Sequence, residues 1–432
     1  MMIETLFAGL FRSRRGKQAL MVLGVLLALP GFLLGPAFVC AGVAAGLAGE
    51  EAAAAFSGGM TLLVLATLSL AGGGGLFWHS YAAAQGKQSA PLRLKPAWML
   101  AGVFGLLVVA GLVTAQKPVA GLVFPPVLAV AATLPPLAAI SWFAGARVRL
   151  TWRRGLPAFF GGATVGLFVA IVLEILLPLI VLALVFNLGK VVIDRLEALF
   201  GALAGENIAT AITGRGFIYL FVQLAIIAPL AEEFAKPLVT LPFLGRMSRR
   251  GAFLLGALAG AGFAALENIL YAGFGFSFWA GILLVRALGG AIHPLGAGLV
   301  ALGWRDVLRG QPQAWKRWLA RFGLAAGMHA LWNGGSLLVI TLAGAQFFGQ
   351  LPPDIDLLGL SAAGTTLAAL IILGLVSLWL GRSVAQRVAP AEAGAEAPAP
   401  FTLSDRGAAI WGLACLAAIV PAGIAGLQLL VK

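Results

Sequence analysis

The stretch Leu230-Ala231-Glu232-Glu233-Phe234-Ala235-Lys236-Pro237 sets two adjacent carboxylates and a lysine inside a run apolar enough to cross a bilayer. In hydrocarbon every backbone N–H and C=O must be satisfied by the chain itself, so such a run reads as an α-helix. An ionisable side chain at that depth is costly and persists where it faces protein or a wet cavity. This one segment therefore predicts both a membrane-embedded helical fold and a buried polar centre.

Neighbouring residues on a helix diverge by ~100°, so Glu232 and Glu233 are expected to take different roles. Lys236 follows Glu232 by four residues, the favourable order for a Glu-to-Lys pair. Pro229 and Pro237 flank the pair, and each removes a backbone hydrogen bond. A structural ion pair at the inner helix end would account for this pattern. So would an acid–base centre, which needs two carboxylates in unlike environments.

Three more polar clusters follow on spanning patterns: Glu267-Asn268 with Tyr271 one turn on, His293-Pro294, and His329 with Trp332 and Asn333. Asn and Tyr are common glue between membrane helices, so Glu267, Asn268 and Tyr271 could form an interhelical hydrogen-bond cluster. His293 and His329 are two of only three histidines. Neutral imidazole supplies a metal ligand or a hydrogen bond to water. His79 is read as structural, and Arg286 and Glu174 as a buried pair or as separate packing residues. A rise of ~1.5 Å per residue puts Glu232, Glu233, His293 and His329 at about one depth. Glu267 falls more than a turn deeper, so it is either lowered by a bend at nearby glycines or supports the others from behind.

The rest of the chain reads as housing for these clusters. Of 432 residues 61% are hydrophobic and 10% charged, with mean hydropathy +1.00; a soluble domain is ~45–50% apolar and ~25% charged. Apolar runs long enough to cross ~30 Å of hydrocarbon occur about eleven times, near 19–47, 59–84, 97–115, 119–145, 157–186, 216–241, 251–276, 279–303, 320–346, 359–381 and 407–430. The fold class is all-α, a polytopic membrane helix bundle. Lys and Arg crowd alternate connections, leaving only Lys117, Lys190, Arg195, Arg215 and Lys432 on the others. By the positive-inside rule the crowded side is cytosolic, with the N-terminus inside. The net charge of +13 is thus a topology signal and not a nucleic-acid face. Cys40 and Cys415 lie in apolar runs without metal-type spacing, which argues against a disulfide or a cysteine zinc site.

Four regions are expected: a five-span N-terminal extension (1–187), an outer amphipathic connector (188–215), a four-span catalytic core (216–346), and two C-terminal spans joined by an Ala/Pro-rich linker (347–432). Gly72 to Gly75 and the series Gly256, Gly260, Gly262 are expected to let helices approach closely.

The order Glu-Glu-x-x-Lys (Glu232, Glu233, Lys236), Phe-x-x-x-Glu-Asn-x-x-Tyr (Phe263, Glu267, Asn268, Tyr271), an isolated His293 and His-x-x-x-Asn (His329, Asn333) resembles the PrsW family of intramembrane proteases, which belongs with the CAAX-prenyl proteases and bacteriocin-immunity membrane proteins. The resemblance covers about 217–346. It implies hydrolysis of a peptide bond in a membrane protein or membrane-associated substrate, in a bacterial inner (cytoplasmic) membrane, with Glu232, Glu233, Glu267, His293, His329 and Asn333 as catalytic residues and Lys236, Asn268 and Tyr271 supporting them. Water would be activated by Glu232 or Glu233. Two chemistries stay open: a divalent metal such as Zn2+ held by His293, His329 and Glu233, or a metal-free site in which His329 and Asn333 donate to the oxyanion. The rival reading is a proton- or cation-coupled transporter, or an idle scaffold of the immunity type. Lack of an internal repeat and concentration of the polar groups in four adjacent spans argue against transport.

Overall fold

The computed structural model describes residues 14–48, 52–87, 89–115, 120–145, 150–184, 215–245, 247–274, 278–347 and 353–388. Among them the secondary structure is helical, apart from a single β-bridge between Pro91 and Thr151. The helices are α1 (Arg14–Ala48), α2 (Ala52–Ala84), α3 (Ala97–Thr114), α4 (Ala120–Ala144), α5 (Trp152–Gly161), α6 (Leu167–Leu184), α7 (Arg215–Val222), α8 (Ala228–Ala235), α9 (Leu241–Leu244), α10 (Arg249–Phe274), α11 (Trp279–Leu288), α12 (Ile292–Leu308), α13 (Ala314–Phe347) and α14 (Pro353–Arg387). One-turn π-helical segments join α5 to α6 (Gly162–Gly166) and α7 to α8 (Gln223–Ile227).

Eight of the described helical segments are long and apolar enough to cross a membrane, and the bent pair α11–α12 makes a ninth. Large apolar side chains such as Leu33, Trp98, Leu106 and Trp379 point outward, as helices solvated by lipid should. This is a polytopic integral membrane protein. The ninth expected span corresponds to α13, which falls short of the apolarity of the others because His329, Trp332 and Asn333 lie in its middle. The span at 407–430, the connector at 188–215 and the Ala/Pro linker lie outside the described residues.

Helix α10 is the hub and is almost wholly buried. Its Gly/Ala face makes this possible. A Cβ on Gly256 would collide with Ala301 and the Ala297 carbonyl, one on Gly260 with the His293 carbonyl, and one on Gly262 with the Phe159 carbonyl. Small residues thus let α12 and α5 lie directly against α10. Phe143, Ile140, Leu150, Phe253, Leu255 and Leu295 fill the core beside that seam. In the N-terminal extension, α1 and α2 cross at Gly24 and Gly73, each occupying the space a Cβ on the other helix would need. Ser69 Oγ locks the crossing by donating to the Leu27 carbonyl at 2.5 Å while accepting from Gly31 N–H at 3.0 Å.

Candidate active site

The polar clusters come from five helices and meet on one side of α10. Glu232 and Glu233 sit on α8, with Lys236 capping its C-terminus. Upstream, the π turn and Pro229 shape the approach: in this register the missing N–H of Pro229 leaves the carbonyl five residues back, that of Leu224, without a helical partner. Asn333 Nδ2 of α13 donates to that carbonyl at 2.9 Å. Asn333 therefore braces α13 against the start of α8, and its carboxamide is committed to the backbone and not turned toward the histidines.

Lys236 is fully buried and pairs with both carboxylates, 2.9 Å from Glu232 Oε2 and 2.6 Å from Glu233 Oε1. Its Nζ also lies 4.5 Å from the centre of the Phe263 ring. The expected pair with Glu232 is present, and Glu233 shares it.

His329, from the middle of α13, donates through Nδ1 to the Glu233 Oε1 carboxylate oxygen at 3.0 Å, leaving Nε2 3.8 Å from Glu232 Oε2. His293 mirrors it from the first turn of α12. Its Nε2 is 3.3 Å from Glu267 Oε2, and its Nδ1 is 3.9 Å from Glu232 Oε2. The two imidazole rings are 4.6 Å apart. Each ring is thus held at one nitrogen by a carboxylate and turns the other toward Glu232. Glu267, deeper by sequence, supports His293 from behind.

The break between α11 and α12, a 41° bend at Gly289-Gly290, makes this possible. Gly289 lies where the Trp332 ring packs, so a Cβ there would overlap the indole. The bend also brings Arg286, in the last turn of α11, onto the cluster. Arg286 Nη2 is 2.7 Å from Glu267 Oε2 and 3.4 Å from His293 Nε2; its Nε donates to Asn268 Oδ1, and its guanidinium covers the Tyr271 ring at 4.6 Å. Arg286 thus pairs with Glu267 and not with Glu174. Asn268 Nδ2 in turn donates to the Ala132 carbonyl of α4 at 3.0 Å.

A metal has a natural place here. Glu232 Oε2, His293 Nδ1 and His329 Nε2 lie within 4.8 Å of one another, and all three residues are buried. His293 Nδ1 and His329 Nε2 make no hydrogen bond, and Glu232 Oε2, which faces both, is also 2.9 Å from the Lys236 ammonium. Ligands ~2.1 Å from a tetrahedral zinc stand roughly 3.4 Å apart, so the 3.8 and 3.9 Å separations, and the one between the imidazoles, which is within 4.8 Å, would close by side-chain rotation. Three carboxylates (Glu232, Glu233, Glu267) face two cations (Lys236, Arg286), which leaves negative charge in excess. Sequence reasoning named Glu233 as the carboxylate of the metal set; the carboxylate oxygen that lies 3.8 and 3.9 Å from the two free imidazole nitrogens is Glu232 Oε2.

Gly296, one turn after His293, was not singled out by sequence. An ideal Cβ there would overlap Glu233 Oε2 and lie 2.8 Å from its carboxyl carbon. Gly296→Ala should therefore displace Glu233 and cut kcat ~10–100-fold, since an ångström of misplacement is enough for such a loss. Gly281→Ala, where a Cβ meets open space, should leave kcat unchanged in the same assay.

Two histidines next to carboxylates, with Glu232 between them, form a buried polar centre inside a bundle of membrane-spanning helices. Residues 151–352 match the profile of the PrsW family intramembrane metalloproteases. The protein therefore carries a membrane-embedded protease domain, of a family that uses metal. No curated protein and no solved structure matches the chain. The family segment begins at the start of α5, further toward the N-terminus than the motif residues. Packing explains the extension: α5 and the π turn after it lie against α10, with Gly162 too close to the Ala259 carbonyl to carry a Cβ.

Proposed function

We propose that this protein is an intramembrane endopeptidase of a bacterial inner (cytoplasmic) membrane, hydrolysing a peptide bond in a membrane protein or membrane-associated substrate. The observation that supports this most is the convergence of Glu232 Oε2, His293 Nδ1 and His329 Nε2, three buried atoms of which the two nitrogens make no hydrogen bond. Those residues would hold a divalent cation, and two imidazoles with one carboxylate suit zinc. When bound, such an ion supplies Lewis acidity for a carbonyl and lowers the pKa of a water molecule.

The chain's own residues supply the rest. Glu267 and Glu233 each fix one imidazole so that its far nitrogen faces Glu232, and a carboxylate behind the ring makes histidine a well-oriented ligand. Glu233 Oε2, which has no hydrogen bond, takes a proton from the attacking water and returns it to the leaving amine nitrogen. Lys236 holds the Glu233 carboxylate in place through Oε1. Arg286 does the same for Glu267. The surrounding helices keep bulk water out.

The purified protein, incubated in detergent with candidate single-span substrates, should cleave at least one of them. Cleavage should fall to background after stripping with a strong chelator and return on adding zinc or another divalent cation. Full cleavage by the stripped protein would overturn the metal reading. Equal cleavage by wild type and the double variant Glu232→Gln, Glu233→Gln would overturn the enzyme reading.

A further inference from the structure

A second charged centre lies at the other end of α12. Asp306 is fully buried, and four arginines surround it. Arg321 Nη1 is 2.9 Å from Oδ2, Arg305 Nη1 3.3 Å from Oδ1, and Arg249 Nη2 and Arg317 Nε each 3.7 Å from Oδ2. One negative charge cannot offset four positive ones, so the cluster keeps a surplus of positive charge. By the charge asymmetry of the connections this end faces the cytosol, and Arg309 and Lys316 add to the surplus on the same side. Twelve residues of helix, ~18 Å, separate Arg305 from His293, so the two centres are distinct.

Next to the arginines stands an aromatic cluster. The rings of Trp304, Trp315 and Trp318 pack 5.0 to 5.8 Å apart, and Phe322 stacks on Trp318 at 5.2 Å. Three donors here are buried and make no hydrogen bond: Trp304 Nε1, Trp318 Nε1 and Arg317 Nε. Immediately beside them Trp315 and Leu319, one turn apart on α13, are 60% and 62% exposed. The site thus joins surplus guanidinium charge, unused N–H donors and an outward apolar strip at the level where tryptophans meet the membrane interface.

We propose that this cluster binds the headgroup of an anionic phospholipid from the inner leaflet. Arg317 and Arg321 meet the phosphate, and an acyl chain lies along Trp315 and Leu319. Guanidinium suits phosphate oxygens because its donors form a planar fork. A free phosphate would satisfy the donors but would leave the apolar strip unused, which is why the lipid is favoured. The proposal does not depend on the protease reading.

The test is thermal unfolding of the purified full chain in detergent, titrated separately with phosphatidylglycerol, phosphatidylcholine and inorganic phosphate. Phosphatidylglycerol should raise the midpoint in a saturable way, and the other two should not. Arg317→Gln, whose side chain is 41% exposed, should raise the half-saturating phosphatidylglycerol concentration about tenfold. Arg382→Gln, at a separate, half-buried arginine that packs on Trp142, should not. Native mass spectrometry should show phosphatidylglycerol retained by wild type and reduced in Arg317→Gln. Equal shifts with phosphatidylglycerol and phosphatidylcholine, an equal shift with inorganic phosphate, or unchanged affinity in Arg317→Gln would each overturn the proposal.

Discussion

Glu233→Gln is expected to lower kcat for a validated substrate by ~10²–10⁴-fold, the range a positioned general base contributes, while the protein stays folded and keeps its metal. Glutamine has nearly the shape of glutamate and can still accept the hydrogen bonds that Glu233 Oε1 takes from Lys236 and His329. It cannot take up a proton. Glu232→Gln is expected to differ in kind, because Glu232 Oε2 is the oxygen that faces both free imidazole nitrogens. Its loss should remove activity and bound metal together. Metal content beside turnover in the two variants separates base from ligand, and loss of metal in Glu233→Gln with retention in Glu232→Gln would reverse the assignment.

Lys236→Met should be the most destabilising single substitution in the site. The ammonium is fully buried and contacts two buried carboxylates at 2.9 and 2.6 Å. Methionine fills a similar volume against Phe263 but removes the one ammonium that touches both Glu232 and Glu233. Removing one partner of a buried ion pair costs about 3–5 kcal/mol. The unfolding midpoint in detergent should drop by many degrees, whereas Lys316→Met on the exposed face of α13 should barely move it. Added divalent cation should recover part of the loss in Lys236→Met, since it supplies positive charge at the same carboxylates. A midpoint equal to wild type would mean that the lysine does not neutralise this pair.

Much of this was legible in the residues alone, for reasons that can be named. A carboxylate or imidazole in an apolar run announces itself because lipid tolerates it so poorly, so Glu232, Glu233, Glu267, His293 and His329 all stood out. Helical spacing tied Lys236 to Glu232, and the glycines at 73, 256, 260 and 262 do sit at close helix crossings. What spacing could not give was direction across helices. The ~100° between neighbours says that Glu232 and Glu233 differ, but only tertiary contacts say which one faces the histidines. Arg286 was visible as a cation within a span, yet its partner depends on the 41° bend at Gly289-Gly290. Asn333 follows His329 at helical spacing, but a carbonyl freed by Pro229 in a π register captures its carboxamide. Helix α5 carries no polar motif, so its membership of the family segment left no mark among the motif residues.

The central claim is that Glu232, His293 and His329 together hold one divalent ion inside the membrane, and elemental analysis of purified protein tests it most directly. Wild type should carry about one divalent ion per chain, while Glu232→Gln, His293→Ala and His329→Ala, each verified as folded by circular dichroism, should carry almost none. Wild-type metal content in folded His293→Ala and His329→Ala would contradict the account.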